Sequence, residues 1–247
     1  MNILGIDTST KKANVCIKKG EEIINKSIDN EITHSEKLLP LIDECLKEAN
    51  LKLSDINCLA CSIGPGSFTG IRIGIATIKA FAKVLNTPVY GISSLDVIAY
   101  SHLDKASEYV LSIMDAKNNR IYYCLYKVNN SKSAPFLEPL IDYSNDVIDV
   151  ALEKIINTLP TEDLSSLPSI KVIGDCSDSY EDLFREKLNN IFNNITICNE
   201  TLSADTLINI VQNCVNYDLN SYKKDYLTLD ALYVRPSQAE RAKNNEL

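Results

Sequence analysis

Apolar and polar residues recur in the first hundred positions with spacings that predict strands and helices in a fixed order. Apolar residues return at every second position in some segments and at every third or fourth in others. The predicted strands are residues 3–8, 14–18, 22–28, 56–62 and 89–92, and the predicted helices are residues 35–50, 71–86 and a short one that ends near Ser101. The order of elements is therefore βββαβαβα.

The same order restarts after Asp104 and Lys105. Strands are predicted at residues 109–115, 121–128, 136–141, 170–174 and 195–198, and helices at residues 145–157, 179–189 and 204–219. Two copies of the order, the second looser than the first, predict a duplicated α/β fold with helices covering each sheet. We expect an N-terminal lobe at residues 1–103 and a C-terminal lobe at residues 104–247 with a polar tail from Gln238.

The two long helices of the first half differ in their apolar surfaces. At about 100° per residue, the apolar side chains of the first helix cover a single arc of roughly 160°. The second helix is apolar on two opposite sides. One side suits a sheet and holds Ile71, Ile75, Ile78, Ala82 and Leu85, and the other holds Ile73, Ala80 and Val84. A helix of this kind is buried on both sides, so its outer side packs against either the first helix or a partner.

The composition is that of a globular protein with an acidic surface. Of the 247 residues 45% are hydrophobic, and the net charge is −8. This charge argues against binding nucleic acid through the chain's own surface, because such binding needs clustered cations. The most apolar stretch, residues 71–85, is interrupted by three charges and does not predict a membrane span. Since no basic leader precedes Asp7, we expect a cytoplasmic protein.

Eight cysteines raise the question of a disulfide framework or a metal site. Cys58 and Cys61 form a C-x-x-C spacing, but they lie in a predicted buried strand. Residues three apart on a strand point to opposite faces and lie about 10 Å apart, which is too far for a disulfide. The sequence therefore favours reduced, buried cysteines.

Two segments at strand ends are candidates for binding a phosphate. Asp7, Thr8, Ser9 and Thr10 follow the first strand, where a carboxylate and hydroxyls hold either a metal-bound phosphate or only a polar turn. Residues 64–70 (Gly-Pro-Gly-Ser-Phe-Thr-Gly) join a buried strand to the second long helix. Glycines and a helix N-terminus suit an anion, but the segment lacks the ending of a P-loop. A rigid turn capped by Ser67 or Thr69 is the alternative.

These motifs resemble the TsaB proteins of the TsaD/Kae/glycoprotease-like family. The resemblance rests on residues 3–9, 33–40, 64–74, 91–95, 115–116 and 232–236, and it is strong in the first half and thin in the second. It implies a duplicated actin-like (ASKHA) fold with a degenerate second lobe. It also implies a non-catalytic scaffold that binds and stabilises TsaD in the complex that forms threonylcarbamoyladenosine at position 37 of tRNAs.

The resemblance further implies partners and an interface. The partners are TsaD and TsaE, and tRNA is reached only through the complex. Because TsaB proteins pair with TsaD through the two long helices, the expected interface residues come from both. They are Leu38, Leu41, Ile42, Cys45, Ile73, Thr77, Ala80 and Val84.

By the same resemblance, the chemistry belongs to TsaD. TsaD-like proteins carry a His-x-x-x-His pair that holds a metal, whereas residues 89–96 here contain no histidine and the chain has only His34 and His102. The hairpin at residues 115–120 also lacks the glycines of a phosphate loop. We therefore predict no catalytic residue, no metal and no cofactor. The predicted structural or vestigial phosphate-loop residues are Asp7, Thr8, Ser9, Gly64, Gly66, Ser67, Thr69 and Gly70.

Two other functions remain open at this point. One is an enzyme, either a glycoprotease-like peptidase or an actin-like phosphotransferase. Two isolated histidines argue against the nucleophile–base pair or metal that a peptidase needs. The other is a protein that self-associates as a homodimer through its apolar helices.

Overall fold

The computed structural model describes residues 1–29, 34–103, 106–130, 135–159, 167–200, 202–217 and 220–235. Its strands are β1 (Asn2–Asp7), β2 (Lys12–Lys19), β3 (Glu22–Asp29), β4 (Cys58–Ser62), β5 (Val89–Ile92), β6 (Tyr109–Asp115), β7 (Arg120–Asn130), β8 (Pro135–Pro139), β9 (Ser144–Val147), β10 (Ser169–Gly174), β11 (Asn194–Asn199) and β12 (Lys223–Lys224). Its α-helices are α1 (His34–Glu48), α2 (Phe68–Leu85), α3 (Ser94–Ser101), α4 (Ile148–Thr158), α5 (Glu181–Leu188) and α6 (Ala204–Asn216). The predicted polar tail lies outside the described residues, as do residues 131–134 and 160–166 of two predicted loops.

The strands form two mixed sheets with the same internal order. In the first sheet the order is β12-β5-β4-β1-β2-β3, and in the second it is β11-β10-β6-β7-β8, with β9 paired to β7. In each sheet three strands in sequence form an antiparallel meander, and two later strands add in parallel beside the first of them. The duplicated α/β fold predicted from the repeated order of elements is confirmed.

Each sheet has its own hydrophobic core. In the first, α1 and α2 pack on strand residues that include Leu4, Ile6, Val15 and Ile17. In the second, α4 and α5 pack on Leu111, Ile113, Tyr123 and Leu125. Alternate residues of the outer meander strands point into these cores, and the central parallel strands are buried on both faces, as the period of two requires.

Chain contacts divide the protein into two compact units, residues 1–97 with 202–247 and residues 98–201. This division differs from the predicted lobes at residues 1–103 and 104–247, because α6 packs on the first sheet. A Cβ atom on Gly5 of β1 would lie 3.2 Å from the Ala204 carbonyl oxygen and 3.3 Å from Cγ1 of Ile208. Asn14 also donates to the Leu202 carbonyl over 3.2 Å. The apolar face of α6 therefore belongs to the N-terminal unit.

Several elements begin or end at other residues than the pattern predicts. The predicted helix at residues 145–157 is in part a strand, because β9 pairs with β7 and Arg120 donates to the Asn145 side chain over 2.9 Å. The helix predicted from residue 71 begins at Phe68, since Ser67 caps it. The strand predicted from residue 56 begins at Cys58, after a short 3₁₀ turn at Leu53–Asp55.

All eight cysteines are free, and seven of them are buried. Cys58 and Cys61 both lie on β4 and are fully buried. The prediction of reduced cysteines at this C-x-x-C spacing is confirmed. Across the helices of the described ranges, none combines the length and apolar character that crossing a membrane requires.

Candidate functional site

Asp7 ends β1 and lies fully buried at the carboxyl edge of the first sheet. Its Oδ1 accepts three hydrogen bonds: from the Ser9 backbone N–H over 3.0 Å, from the Ser9 hydroxyl over 2.7 Å, and from the Ser62 hydroxyl. Its Oδ2 is buried and has no hydrogen-bond partner among the described residues. Because Ser62 ends the neighbouring strand β4, the Asp7 carboxylate ties two strand ends and the following turn together.

The glycine-rich segment 64–70 packs directly on that turn. The Ser67 N–H donates to the Ser9 carbonyl over 2.6 Å, and the Thr8 hydroxyl donates to the Gly70 carbonyl over 2.7 Å. A Cβ atom would lie 2.2 Å from the Ser9 carbonyl oxygen at Gly66 and 2.0 Å from the Thr8 carbonyl oxygen at Gly70. Only glycine permits this approach of one backbone to another. The glycines therefore accommodate the chain's own turn at residues 7–9.

Ser67 supplies the N-terminal cap of α2. Its side chain accepts the Gly70 N–H over 3.2 Å, whereas Thr69, the other candidate, is exposed. The structure therefore brings Asp7, Thr8, Ser9, Gly66, Ser67 and Gly70 together in one capped turn, whereas Gly64 lies against Leu232 and Ile71.

Four of the predicted interface residues are not on a surface. Leu38, Leu41, Ile42 and Cys45 of α1 are buried in the core of the first sheet. Their assignment to the interface needs correction, because the broad apolar arc of α1 is used to cover the sheet. The exposed apolar side chain near the start of α1 is Leu39, which is 55% exposed.

The other four predicted interface residues form a stripe on the outer side of α2. At about 100° per residue, Ile73, Thr77, Ala80 and Val84 lie within roughly 60° of one another. Ile73 and Thr77 are half-buried, Ala80 is exposed, and Val84 is 81% exposed. The opposite side, with Ile71, Ile75, Ile78 and Ala82, is buried in the core as predicted. We call Ile73, Thr77, Ala80 and Val84 the outer stripe of α2.

In the second unit the corresponding hairpin closes on itself. Lys117, Asn118 and Asn119 have φ of 62°, 55° and 55°, so the turn adopts left-handed backbone without glycine, which asparagine tolerates better than most residues. Asp115 holds the turn by accepting the Lys117 N–H over 2.8 Å and by pairing with the Lys117 ammonium. The Asp115 N–H donates to Asp175 over 2.9 Å.

The two histidines lie in different units. His34 is the first residue of α1. The Nε2 atom of His102 lies 2.6 Å from the Glu200 carboxylate, in the second unit. In the part of the chain that the structure describes, no group of three or more His, Cys, Asp or Glu side chains is placed to hold a metal ion.

Sequence reasoning missed the segment that runs along α2 from β12 to Arg235. It contributes Tyr233, whose ring stacks on Phe68 at 4.8 Å between centroids, and Leu229, which is buried in the core of the first sheet. The segment has no helical or strand period that could predict its place. The sequence feature that pointed to this segment is residues 232–236, which are part of the resemblance to TsaB proteins.

The family model described as TsaD, tRNA N6-adenosine threonylcarbamoyltransferase, matches residues 23–232. The chain belongs to this family. The match covers well over half of the chain and both sheets.

Proteins named tRNA threonylcarbamoyladenosine biosynthesis protein TsaB are similar to this chain. The protein from Buchnera aphidicola subsp. Schizaphis graminum is 36% identical over 130 residues, which are 52% of this chain and 62% of the relative. The protein from Escherichia coli (strain K12) is 33% identical over 129 residues, 51% of this chain and 55% of the relative. The chain thus spans between about half and two thirds of the length of these relatives. These matches confirm the resemblance to TsaB proteins.

Two solved structures from Pseudomonas aeruginosa show the same fold. One is a protein described as similar to peptidase YeaZ, with a TM-score of 0.73, 19% identity, and coverage of 95% of this chain and 99% of that one. The other is YeaZ, with a TM-score of 0.70, 20% identity, and coverage of 94% and 99%. The fold of this chain over nearly its whole length is therefore the YeaZ fold.

Proposed function

We propose that this chain is a non-catalytic subunit in the biosynthesis of threonylcarbamoyladenosine on tRNA, which binds and stabilises TsaD. TsaE is a further partner, and tRNA is reached through the complex. Membership of the TsaD family and similarity to proteins named for this modification support the proposal. In this assignment TsaD carries the transfer chemistry and this chain supplies a docking surface.

The observation that carries the proposal is the outer stripe of α2. The helix is buried on its sheet side, yet Val84 is 81% exposed and Ala80 is exposed on the other side. Exposed apolar side chains that line up along one helix face are typical of surfaces that bind another protein. The stripe lies on a helix that is fixed at its start by the Ser67 cap and the contacts of residues 64–70, so it offers a rigid face.

The residue sizes on α2 suit a second helix. Ala76 and Ala80 are exposed, and small side chains let two helices approach to the short end of the usual 8–10 Å interaxial distance. Val84 supplies exposed apolar contact area beside these alanines, and Ile73, which is half-buried against the core, supplies only its outer part. Lys83 is exposed beside the stripe, where it suits an acidic side chain on the partner.

The bonded N–H groups at the start of α2 support the non-catalytic part of the proposal. A phosphotransferase needs free N–H groups at the start of α2 for its phosphate. Here the Ser67 N–H is bonded to the Ser9 carbonyl and the Gly70 N–H to the Ser67 hydroxyl. The chain's own turn thus competes for the groups that a nucleotide would use.

Mass measurement in solution tests the proposal and separates it from self-association. We expect the protein mixed with TsaD from the same genome to give a particle of the combined mass. Val84→Glu places a charge in the contact and should weaken pairing at least about tenfold, because an unpaired charge buried there costs several kcal/mol. Val150→Glu is the matched control, since Val150 is an exposed valine on α4 of the other unit.

The outcomes are distinct. Pairing lost in Val84→Glu and kept in Val150→Glu, at an unchanged melting temperature of each variant alone, supports docking through α2. A protein that alone has twice the monomer mass, and does not change its mass with TsaD, supports the homodimer instead. Transfer to tRNA or cleavage of a protein substrate by the purified chain alone would overturn the non-catalytic assignment.

A further inference from the structure

Residues 222–235 form a segment, which we call the strap, that joins the edge of the first sheet to α2. At its start, β12 pairs antiparallel with β5, and the Gly91 N–H donates to the Tyr222 carbonyl over 3.0 Å. Further along, the Leu232 N–H donates to the carbonyl of Ile63, the residue after β4, over 2.7 Å. The strap is therefore bonded to the sheet at two places.

Between these two places, Leu229 anchors the strap in the core. It is 1% exposed and packs in the hydrophobic cluster of the first sheet. A Cβ atom on Gly91 would lie 2.6 Å from the Leu229 Cδ1 atom. This contact leaves no space between the strap and β5.

The strap also holds two cations of α2. The Arg72 Nε donates to the Tyr233 hydroxyl over 2.6 Å, and its guanidinium lies 3.9 Å from the centre of the Phe68 ring. Phe68 in turn stacks on Tyr233. Two turns along the helix, the Lys79 ammonium donates to the Leu229 carbonyl over 2.8 Å. We call the contacts of Arg72 and of Lys79 with the strap the fasteners. They are about 10 Å apart along the helix axis, so they oppose both rotation of α2 about its axis and its displacement from the sheet.

The fasteners lie beside the outer stripe of α2 and leave it uncovered. At about 100° per residue, Arg72 and Lys79 point roughly 100–120° away from Ile73. Both cations are thus engaged by the strap, while Ala80 and Val84 of the stripe stay exposed and Ile73 packs in part against the core of the first sheet. Tyr233 remains 41% exposed, so its ring contributes to α2 mainly through the stack and the hydrogen bond.

We propose that Tyr233 and Lys79 are positioning residues: through them the strap fixes the orientation of α2 on the sheet and thereby presents the outer stripe. The inference rests on the proposed function for its consequence in docking. That the strap holds α2 in place concerns this chain alone, and a separate experiment tests it. These fasteners add polar and aromatic contacts with α2 to the apolar packing of Leu229 in the same core.

Hydrogen exchange on the full chain tests the hold on α2. Tyr233→Ala removes the stack and the hydrogen bond, and we expect exchange at residues 71–78 and at residues 229–233 to rise about five- to tenfold. Exchange in α1 should not change. Tyr233→Phe keeps the stack and should stay within about threefold of the unmodified protein. Tyr217→Ala, at an exposed tyrosine directly after α6, is the matched control and should alter neither segment.

Lys79→Met provides a second variant that keeps the length of the side chain and removes the ammonium. It should raise exchange in the same two segments and should add to the effect of Tyr233→Ala. In titrations with TsaD, affinity should fall about fivefold for Tyr233→Ala and recover in Tyr233→Phe, while the melting temperature stays within a few degrees.

The results distinguish the hold of the strap on α2 from its effect on TsaD binding. Faster exchange that is confined to residues 229–233 overturns the proposal, because α2 is then held without the strap. Faster exchange in α2 with unchanged TsaD affinity also overturns it, since orientation then does not govern docking. If the unmodified protein does not bind TsaD, the proposed function fails, and the exchange at residues 71–78 still decides whether the strap holds the helix.

Discussion

The hydroxyl of Ser62, at the end of β4, donates a hydrogen bond to Oδ1 of Asp7, at the end of the neighbouring strand β1. The same oxygen accepts two bonds from Ser9. All three bonds of this oxygen run to groups of the chain itself. Its role in this protein is to join two strand ends to the turn on which α2 begins.

Substitutions of Asp7 should therefore lower the free energy of unfolding by an amount that depends on whether an oxygen remains at the position of Oδ1. Asp7→Ala leaves the buried donors of Ser9 and Ser62 without an acceptor and should lower the free energy of unfolding by about 2–4 kcal/mol. Asp7→Asn keeps an oxygen for these donors and should cost about 1 kcal/mol. Urea denaturation measures both values. An equal loss in the two variants would show that the carboxylate charge, rather than the three bonds, matters.

Gly70→Ala tests the contact between residues 64–70 and the turn at residues 7–9. The added Cβ would lie 2.0 Å from the Thr8 carbonyl oxygen, so the backbone must move, and we expect a loss of about 3 kcal/mol. Gly20→Ala is the control, because a Cβ there meets nothing within 4 Å and only the φ of +59° is unfavourable. It should cost about 1 kcal/mol. Equal melting temperatures for the two variants would contradict the close packing.

ATP should not bind at the start of α2, since the N–H groups of Ser67 and Gly70 are already bonded within the chain. Calorimetric titration with ATP and magnesium should give only the heat of dilution. The decisive contrary result is a micromolar site that Asp7→Ala abolishes. Such a site would require the turn at residues 7–9 to move away from the glycines.

The buried cysteines predict a fall in stability at alkaline pH. Burial raises the pKa of the Cys16, Cys58 and Cys61 thiols to about 12, whereas exposed thiols in the unfolded chain ionise at about 8.5. Below that pH the thiols are protonated in both the folded and the unfolded state, so they do not make the free energy of unfolding depend on pH. Between the two values the unfolded state releases protons that the folded state retains, so the free energy of unfolding falls as pH rises.

Each such thiol should contribute a slope of up to about 1.4 kcal/mol per pH unit. Cys61→Ala should make the dependence above pH 9 less steep by one such contribution, as followed by urea denaturation at several pH values. Cys198→Ala is the control, because Cys198 is only half-buried. A slope that does not respond to Cys61→Ala would exclude this thiol as a source.

Because α6 packs on the first sheet, a substitution in α6 should destabilise the first sheet and not the second. Leu207 is fully buried, and Leu207→Ala should cost about 2–5 kcal/mol. Hydrogen exchange should then rise in β1 and β2 and stay unchanged in β6 and β7. Asn213→Ala, at an exposed position of the same helix, should change neither. Faster exchange in β6 would show that α6 stabilises the second sheet as well.

The sequence predicts the sheets of this protein better than the surroundings of its helices. Alternating residues such as those of β2 reveal strands, and the repeat of the element order reveals the duplication. The apolar residues of α6 predict a helix but contain nothing about which sheet they cover. In α1 the arc that holds Leu38 and Cys45 shows that these residues are buried, but the sequence does not distinguish a sheet from a partner.

The sequence likewise predicts only a part of the candidate site. The glycines at 66 and 70 indicate a close approach of backbone, and both a phosphate and a turn of the chain satisfy that pattern. In the structure, the Thr8 and Ser9 carbonyls make this close approach. The outer stripe of α2 could be found from its period. The strap could not, because Leu229 and Tyr233 belong to a segment without any period, and their contacts depend on tertiary structure alone.

The return of residues 202–235 to the first sheet has a consequence for synthesis on the ribosome. Residues 98–201 form a continuous unit, so they can reach their final contacts as soon as they have emerged. The first sheet begins the chain, yet it must wait for α6 and for residues 222–235 before one of its faces and its β5 edge are covered. During that interval its apolar surface is available to chaperones, and slower translation of the last third of the message would lengthen that exposure.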